Sequence, residues 1–205
     1  MTRCLSCGAN VTNLSLIPVI REHAQHHPVE QAYEMSSYGA TLAFLQRTFR
    51  HVIASEYYPD RPPGSIVNGI LNQDVQRLTF EDSSLDLITS NQVFEHVPDD
   101  LAGYAQCYRV LRPNGALIFS VPLYDIAHTK MIAELVDGEV VFHGTPEYHS
   151  SRADGPNSVL TFWHHSRHDI CARLARCGFA ARLLDVTLAP SQREPAQVVY
   201  AIKRC

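Results

Sequence analysis

Apolar positions along this chain change their period several times, and each change marks the border of an element. Two short apolar runs, Leu85–Ser90 and Ala116–Val121, are bounded by turn residues and read as strands. Between them Leu101, Tyr104, Tyr108 and Leu111 recur at helical spacing. Asp99 and Asp100 stand where a helix N-terminus favours negative charge, and Arg109 and Arg112 where its C-terminus favours positive charge. Arg112-Pro113-Asn114-Gly115 then ends the helix, because proline cannot continue it and Asn-Gly tolerates positive φ. Strand, helix and strand at this spacing predict a βαβ unit, with parallel strands and helices packed on their faces.

The pattern extends in both directions. Val29–Met35 predicts a strand, and Thr41–Phe49 a helix with Leu42, Leu45 and Phe49 on one face. His51–Glu56 predicts the next strand and Ser65–Asn72 another. Pro59, Pro62, Pro63 and Gly64 break the link between those two, so the crossover helix is shortened there or replaced by a loop. Leu123 to Phe162 reads as a long irregular segment, of the kind that carries function when mounted on a rigid sheet. Ser166 and Asp169 read as a capping box, opening a helix with Ile170, Leu174 and Cys177 on one face and stopping at Gly178. Phe179–Thr187 and Gln197–Lys203 predict the last two strands, joined by a turn from Ala189-Pro190 to Pro195.

Composition narrows the partners. The chain has 205 residues, enough for one domain with a sizeable core. Its 17 basic and 21 acidic side chains give no electrostatic reason to expect DNA, RNA or an anionic membrane as a partner. No apolar run reaches the length of a membrane span, and the N-terminus lacks a signal-peptide core. The six cysteines are scattered, as reduced thiols of a cytoplasmic protein would be. Residues 1–28 read as an N-terminal extension and 29–205 as the domain proper. The extension carries Cys4-Leu5-Ser6-Cys7-Gly8, half of a zinc knuckle whose other two ligands are missing. His23, His26 and His27 are nitrogen candidates, although a polar histidine-rich segment is more often simply solvated.

Three strings carry a resemblance. They are Asp74 followed by Leu78-Thr79-Phe80-Glu81-Asp82-Ser83-Ser84-Leu85-Asp86-Leu87-Ile88, then Phe94-Glu95-His96-Val97-Pro98-Asp99, then Arg109-Val110-Leu111-Arg112-Pro113-Asn114-Gly115. In this order they resemble the central part of class I S-adenosylmethionine-dependent methyltransferases of the type 11 kind. The resemblance implies an α/β, doubly wound, mostly parallel seven-stranded Rossmann-like sheet whose final strand inserts antiparallel. It also implies S-adenosylmethionine as cofactor, S-adenosylhomocysteine as product and a small-molecule methyl acceptor.

The site residues implied follow position by position. The family's first turn runs acid-x-Gly-x-Gly-x-Gly; here the acid is Glu34, while Ser36, Tyr38 and Ala40 hold the glycine positions and Gly39 is displaced by one. Glu34, Ser36 and Gly39 are expected to shape this turn around the cofactor. Glu56, ending a buried strand, offers two acceptor oxygens to the ribose hydroxyls, with Tyr57 beside it. Asp74 and Val75 are expected at the adenine, the alternative being that Asp74 caps the next turn. Asn91 should lie along the methionine portion. A Glu-x-x-Glu-His run can hold a divalent metal in ubiquinone-type relatives, but Gln92 replaces the first acid here. The expectation is therefore no metal, with His96 a helix-terminal hydrogen-bonding residue. Tyr124 and His149, the latter in Pro146-Glu147-Tyr148-His149, are the catalytic candidates on the acceptor side. His149 either takes a proton from the acceptor or hydrogen-bonds within its own loop. His164 and His168 stand four apart with no third ligand in view. The altered glycine turn keeps open a second reading, a non-catalytic methyltransferase-like binding or scaffold domain.

Overall fold

The computed structural model describes residues 10–151 and 155–204. Helix α1 (Val11–His26) is followed by β1 (Gln31–Glu34), α2 (Ala40–Thr48) and β2 (His51–Glu56). Then come β3 (Ile66–Val67), β4 (Ile70–Asn72), β5 (Leu85–Asn91), α3 (Asp100–Val110) and β6 (Leu111–Ser120). The insertion after β6 holds β7 (Leu123–Tyr124), β8 (Lys130–Met131), β9 (Ala133–Val136), β10 (Glu139–Phe142), β11 (Tyr148–Ser151), β12 (Gly155–Leu160) and β13 (Trp163–Ser166). Helix α4 (Ile170–Arg176), β14 (Ala180–Val186) and β15 (Ala196–Ile202) complete the chain.

The main sheet runs β14-β15-β6-β5-β1-β2-β4-β3. β6, β5, β1, β2 and β4 pair in parallel, so their carboxyl ends share one edge. β15 inserts antiparallel between β6 and β14, as the resemblance implies. The sheet has eight strands rather than seven. The run predicted as one strand, Ser65–Asn72, folds back on itself. Asn68 and Gly69 both take positive φ (52° and 82°), the two-residue turn that joins antiparallel strands, and so split the run into β3 and β4.

Neighbouring residues on the central strands face opposite layers, and both layers are apolar and buried. Ala32 and Leu87 pack with Leu16, Val19 and Ile20 of α1 and Leu45 of α2. Tyr33 and Ile88 pack with Tyr104, Cys107 and Val110 of α3 and Ile170 and Leu174 of α4. This two-sided burial is what an almost continuously apolar parallel strand needs. It also places α1 in the core, so the expected boundary at residue 28 runs through a packed layer. The thiols of Cys107, Cys171 and Cys177 are free. Among the described residues no helix is long and apolar enough to cross a membrane.

Local chemistry fixes the ends of α3. The Asp99 carboxylate accepts from the Ala102 N–H (2.9 Å). Arg109 near the other end reaches the carbonyls of Leu78 (2.7 Å) and Phe80 (2.9 Å), tying α3 to the strand β5 approach. Asn114 turns the chain at φ 66°. A side chain at Gly115 would stand 2.9 Å from the Arg112 carbonyl, so only glycine fits.

Two further expectations are corrected. The segment after β6 is largely hydrogen-bonded: β9–β10 and β11–β12 are antiparallel hairpins, and β13 pairs with β7 and β8. β10 is exposed along its whole length, so it shows no burial alternation to read. The capping box at α4 does not form. Asp169 is the N-cap without a side-chain cap bond, because its carboxylate is taken by the N–H (2.7 Å) and hydroxyl of Thr129.

Candidate functional site

The carboxyl edge of β1, β2, β4 and β5 collects most of the expected residues. Glu34 ends β1 with 1% of its surface exposed and accepts from the Thr89 hydroxyl of β5. Burial pushes its carboxyl up to about 8, against that hydrogen bond and aided by the charge of Glu56. Glu34 thus pins β1 to β5 from inside the sheet edge. The turn that follows is held by short polar side chains where glycines were expected. The Ser36 hydroxyl donates to the Tyr38 carbonyl (3.3 Å), and Gly39 caps α2 at φ 106° with no atom near the place a Cβ would take. Tyr38 is 41% exposed.

Glu56 ends β2 directly beside this turn. Its Oε1 accepts from the Ser37 N–H (2.7 Å) and the Ser37 hydroxyl (2.8 Å). Oε2 has no hydrogen-bond partner among the described residues. Register pairs Glu56 with Asn72, and the Gln73 N–H donates to the Glu56 carbonyl (3.0 Å), which places Asp74 two residues beyond the adjoining strand end. Asp74 does cap the next turn: Oδ1 accepts from the Gln76 N–H (2.9 Å), opening the single helical turn Val75–Arg77. The Val75 side chain belongs to the core. Tyr57 is 60% exposed; partial burial, and then the nearby Asp74 carboxylate, push its phenol above the usual value.

Asn91 ends β5 with both halves of its amide bound. It donates to the Thr41 hydroxyl (2.9 Å) and accepts from the Ser120 hydroxyl (3.1 Å), while Thr41 donates to the Asn13 carbonyl (3.0 Å). This relay joins α1, α2, β5 and β6 at the sheet edge. Beside it a shallow groove is lined by Thr12, Gln92, Ser120, Pro122, Leu123 and Gln197.

The insertion brings a second group together over the end of β5. Tyr124 and His149, the catalytic candidates, meet through Glu147. The Tyr124 hydroxyl donates to Glu147 Oε1 (3.4 Å), the ring of His149 places Nε2 3.1 Å from the same oxygen, and His164 Nε2 stands 2.7 Å from Oε2. The Tyr124 ring stacks on His164 with centroids 4.2 Å apart. Burial works against ionisation of Glu147, but the hydrogen bonds from His164 and His149 prevail and hold its carboxyl below the usual range. On its other side His149 Nδ1 lies 3.2 Å from His96 Nε2, and His96 Nδ1 lies 2.8 Å from the Leu160 carbonyl. Burial lowers the His96 imidazole to about 4, against the hydrogen bond to Leu160 and aided by the neighbouring His149.

Glu95 completes the group. It is fully buried, and neither carboxylate oxygen has a hydrogen-bond partner among the described residues. Burial pushes its carboxyl up to about 8. Oε1 lies 3.7 Å from His96 Nε2 and 3.9 Å from His149 Nδ1. The expectation of no metal here rested on Gln92 in the local string; three side chains that could offer ligand atoms converge without position 92. They are Glu95, His96 and His149, all within 4.8 Å of one another. Sequence reading missed this because His96 and His149 are 53 positions apart. His164 and His168 do not act as a pair; His168 turns outward to Asp125 (2.6 Å). Cys4 and Cys7 lie outside the described residues. Of the other proposed zinc candidates, His23 is buried against the Tyr200 hydroxyl (3.1 Å).

The insertion is fastened by polar contacts in the core. The Trp163 indole N–H donates to the Val97 carbonyl (2.8 Å). His165 Nε2 meets Asp100 Oδ2 (3.1 Å), both fully buried, and Arg173 of α4 reaches the same carboxylate through Nε (3.1 Å) and Nη2.

Comparison with known proteins agrees with this architecture. Residues 2–119 match the family described as methyltransferase domain. The chain is 33% identical over 108 residues to a malonyl-acyl-carrier-protein O-methyltransferase of Coxiella burnetii, covering 53% of this chain and 31% of that protein. It is 29% identical over 117 residues to a ubiquinone biosynthesis O-methyltransferase of Pasteurella multocida, covering 57% of this chain and 43% of that one. The chain thus spans less than half the length of these curated relatives. The fold resembles that of the Burkholderia thailandensis 1,6-didemethyltoxoflavin N1-methyltransferase, crystallised with 1,6-didemethyltoxoflavin and S-adenosylhomocysteine. That likeness has a TM-score of 0.61 at 14% identity, over 94% of this chain and 80% of that one.

Proposed function

We propose that this chain, which belongs to the methyltransferase domain family, binds S-adenosylmethionine on the shared strand edge and methylates a small-molecule acceptor held under the insertion. The observation that carries the reading is the placement of Glu56 and Asp74. They are two acids at the ends of adjoining parallel strands, next to a turn whose helix starts at Gly39. Ligands of open parallel sheets bind at such an edge.

The residues present fit the cofactor. Glu56 spends one oxygen on Ser37, which fixes the turn, and keeps Oε2 for a ribose hydroxyl. The open space beside Gly39 lets a ligand approach the backbone where a side chain would intrude. Asp74, with Tyr57 nearby, would hold the adenine end. Asn91 would border the methionine end, its amide fixed by Thr41 and Ser120. When bound, the cofactor supplies an already activated electrophilic methyl group on its sulfonium.

What remains for the protein is positioning, exclusion of water and removal of a proton. On the acceptor side Tyr124 and His149 would work as parts of the Glu147 cluster. His149 Nε2 is held by Glu147 and its Nδ1 faces His96 Nε2, so the ring acts through its neighbours and not as an isolated base. The names of the curated relatives favour an oxygen nucleophile as acceptor.

Calorimetric titration with S-adenosylhomocysteine tests the reading. Micromolar binding that weakens roughly 10–150-fold in Glu56→Ala is expected, since that change removes one charge-assisted hydrogen bond of about 1.5–3 kcal/mol. A flat titration of the folded protein would leave only the scaffold reading.

A further inference from the structure

The facing nitrogens of His96 and His149 raise a question of proton bookkeeping. A backbone carbonyl only accepts, so His96 carries its proton on Nδ1, pointed at Leu160, and presents a lone pair at Nε2. A carboxylate likewise only accepts, so His149 carries its proton on Nε2, pointed at Glu147, and presents a lone pair at Nδ1. These two lone pairs meet at 3.2 Å. The third party is Glu95 Oε1, another acceptor, at 3.7 and 3.9 Å. With Glu95 ionised, three electron donors converge with no hydrogen between them. Glu95 is fully buried, and both its oxygens lack partners among the described residues. An orphaned carboxylate in the core carries a large desolvation cost unless something positive meets it.

We propose that Glu95, His96 and His149 form a site for a divalent transition ion of the zinc class. Three observations converge on it. Ligand atoms about 2.0–2.2 Å from a tetrahedral ion stand about 3.3–3.6 Å from each other, close to the three separations here. Two imidazoles and one carboxylate suit zinc or its neighbours better than magnesium or calcium, which take oxygen ligands. Finally, each imidazole has its remote nitrogen held by a carbonyl or carboxylate, the outer contact that orients histidine ligands in metal sites. Glu147 is then a positioning residue, holding His149 while itself held by His164. Three protein ligands leave a fourth position for water or an acceptor oxygen, and His149, with 31% of its side chain exposed, gives access from the cleft side. The inference is independent of the cofactor reading, because metal can be titrated without any methyl donor.

The test uses the full chain, stripped with chelator, carrying Cys4→Ser and Cys7→Ser so that those thiols cannot report. Cobalt(II) is titrated and followed by its tetrahedral d–d absorption, with zinc competition giving the zinc affinity. One ion per chain is expected. His149→Ala should weaken cobalt at least a hundredfold, and Glu147→Gln should weaken it 10–100-fold, as loss of an outer-shell partner does. Both positions are partly exposed, so both variants should keep the parent's circular dichroism. His96→Ala, should it stay folded, must behave like His149→Ala. No cobalt bound by the thiol-free protein, or binding unchanged in folded His149→Ala, would overturn the site. A parallel titration with S-adenosylhomocysteine on the same samples keeps this outcome separate from failure of the cofactor reading.

Discussion

Asp100→Ala removes the common acceptor of hydrogen bonds from the Arg173 guanidinium and the His165 imidazole. Asp100 and His165 are fully buried, and the Arg173 side chain is 14% exposed. Burial alone would raise the Asp100 carboxyl, yet the hydrogen bonds from His165 and Arg173 hold it below its usual range. Without it, the guanidinium and an imidazole N–H have no partner in a dry layer. Breaking a buried pair from one side costs about 3–5 kcal/mol. The slight exposure of Arg173 places this case near the lower end, about 3 kcal/mol. For a domain of this size each kcal/mol moves Tm by about 2–4 °C, so the variant should melt about 6–12 °C below the parent.

The assay is thermal unfolding by circular dichroism, run at neutral and at acid pH. Because the folded carboxyl is depressed, its contribution is present above the ordinary carboxylate range and lost as pH falls through the folded value. The gap between parent and variant should therefore narrow in acid. A melting shift below about 3 °C at neutral pH, or a gap that does not change with pH, would refute the view that this network fastens the insertion to α3 and α4.

Leu16→Ala tests whether α1 belongs to the core: the fully buried side chain should cost about 2–5 kcal/mol by urea unfolding, where an independent extension would cost almost nothing. Glu34→Gln tests the internal pin. The folded carboxyl keeps its proton up to about 8 while the unfolded one releases it near 4.5, so stability of the parent falls as pH rises across that window. The glutamine variant should show a flatter urea midpoint between pH 5 and pH 8, and parallel curves for the two proteins would disprove it.

What could be read from the chain divides along physical lines. β2 came out at its observed bounds because it is a short buried run closed by an acid, and α3 because caps, charges and an Asn-Gly turn all agree. The split of Ser65–Asn72 was legible in principle, since Asn68-Gly69 is a hairpin turn signal, as is Asp137-Gly138 between β9 and β10. Apolar continuity outweighed the first, and the full exposure of β10 hid the second. The polar relay from Asn13 through Thr41 to Asn91 and the meeting of His96 with His149 had no local signature. Both depend on which strand ends the sheet order brings together.

The fastening of the insertion has an evolutionary consequence. Residues 123–166 join the frame through a few plugs, chiefly Trp163 on Val97 and His165 on Asp100, while the residues proposed for the methyl donor come from 34–91. The stretch is therefore a cassette. A graft that replaces its lining but keeps the tryptophan and histidine that seat it should leave the frame intact.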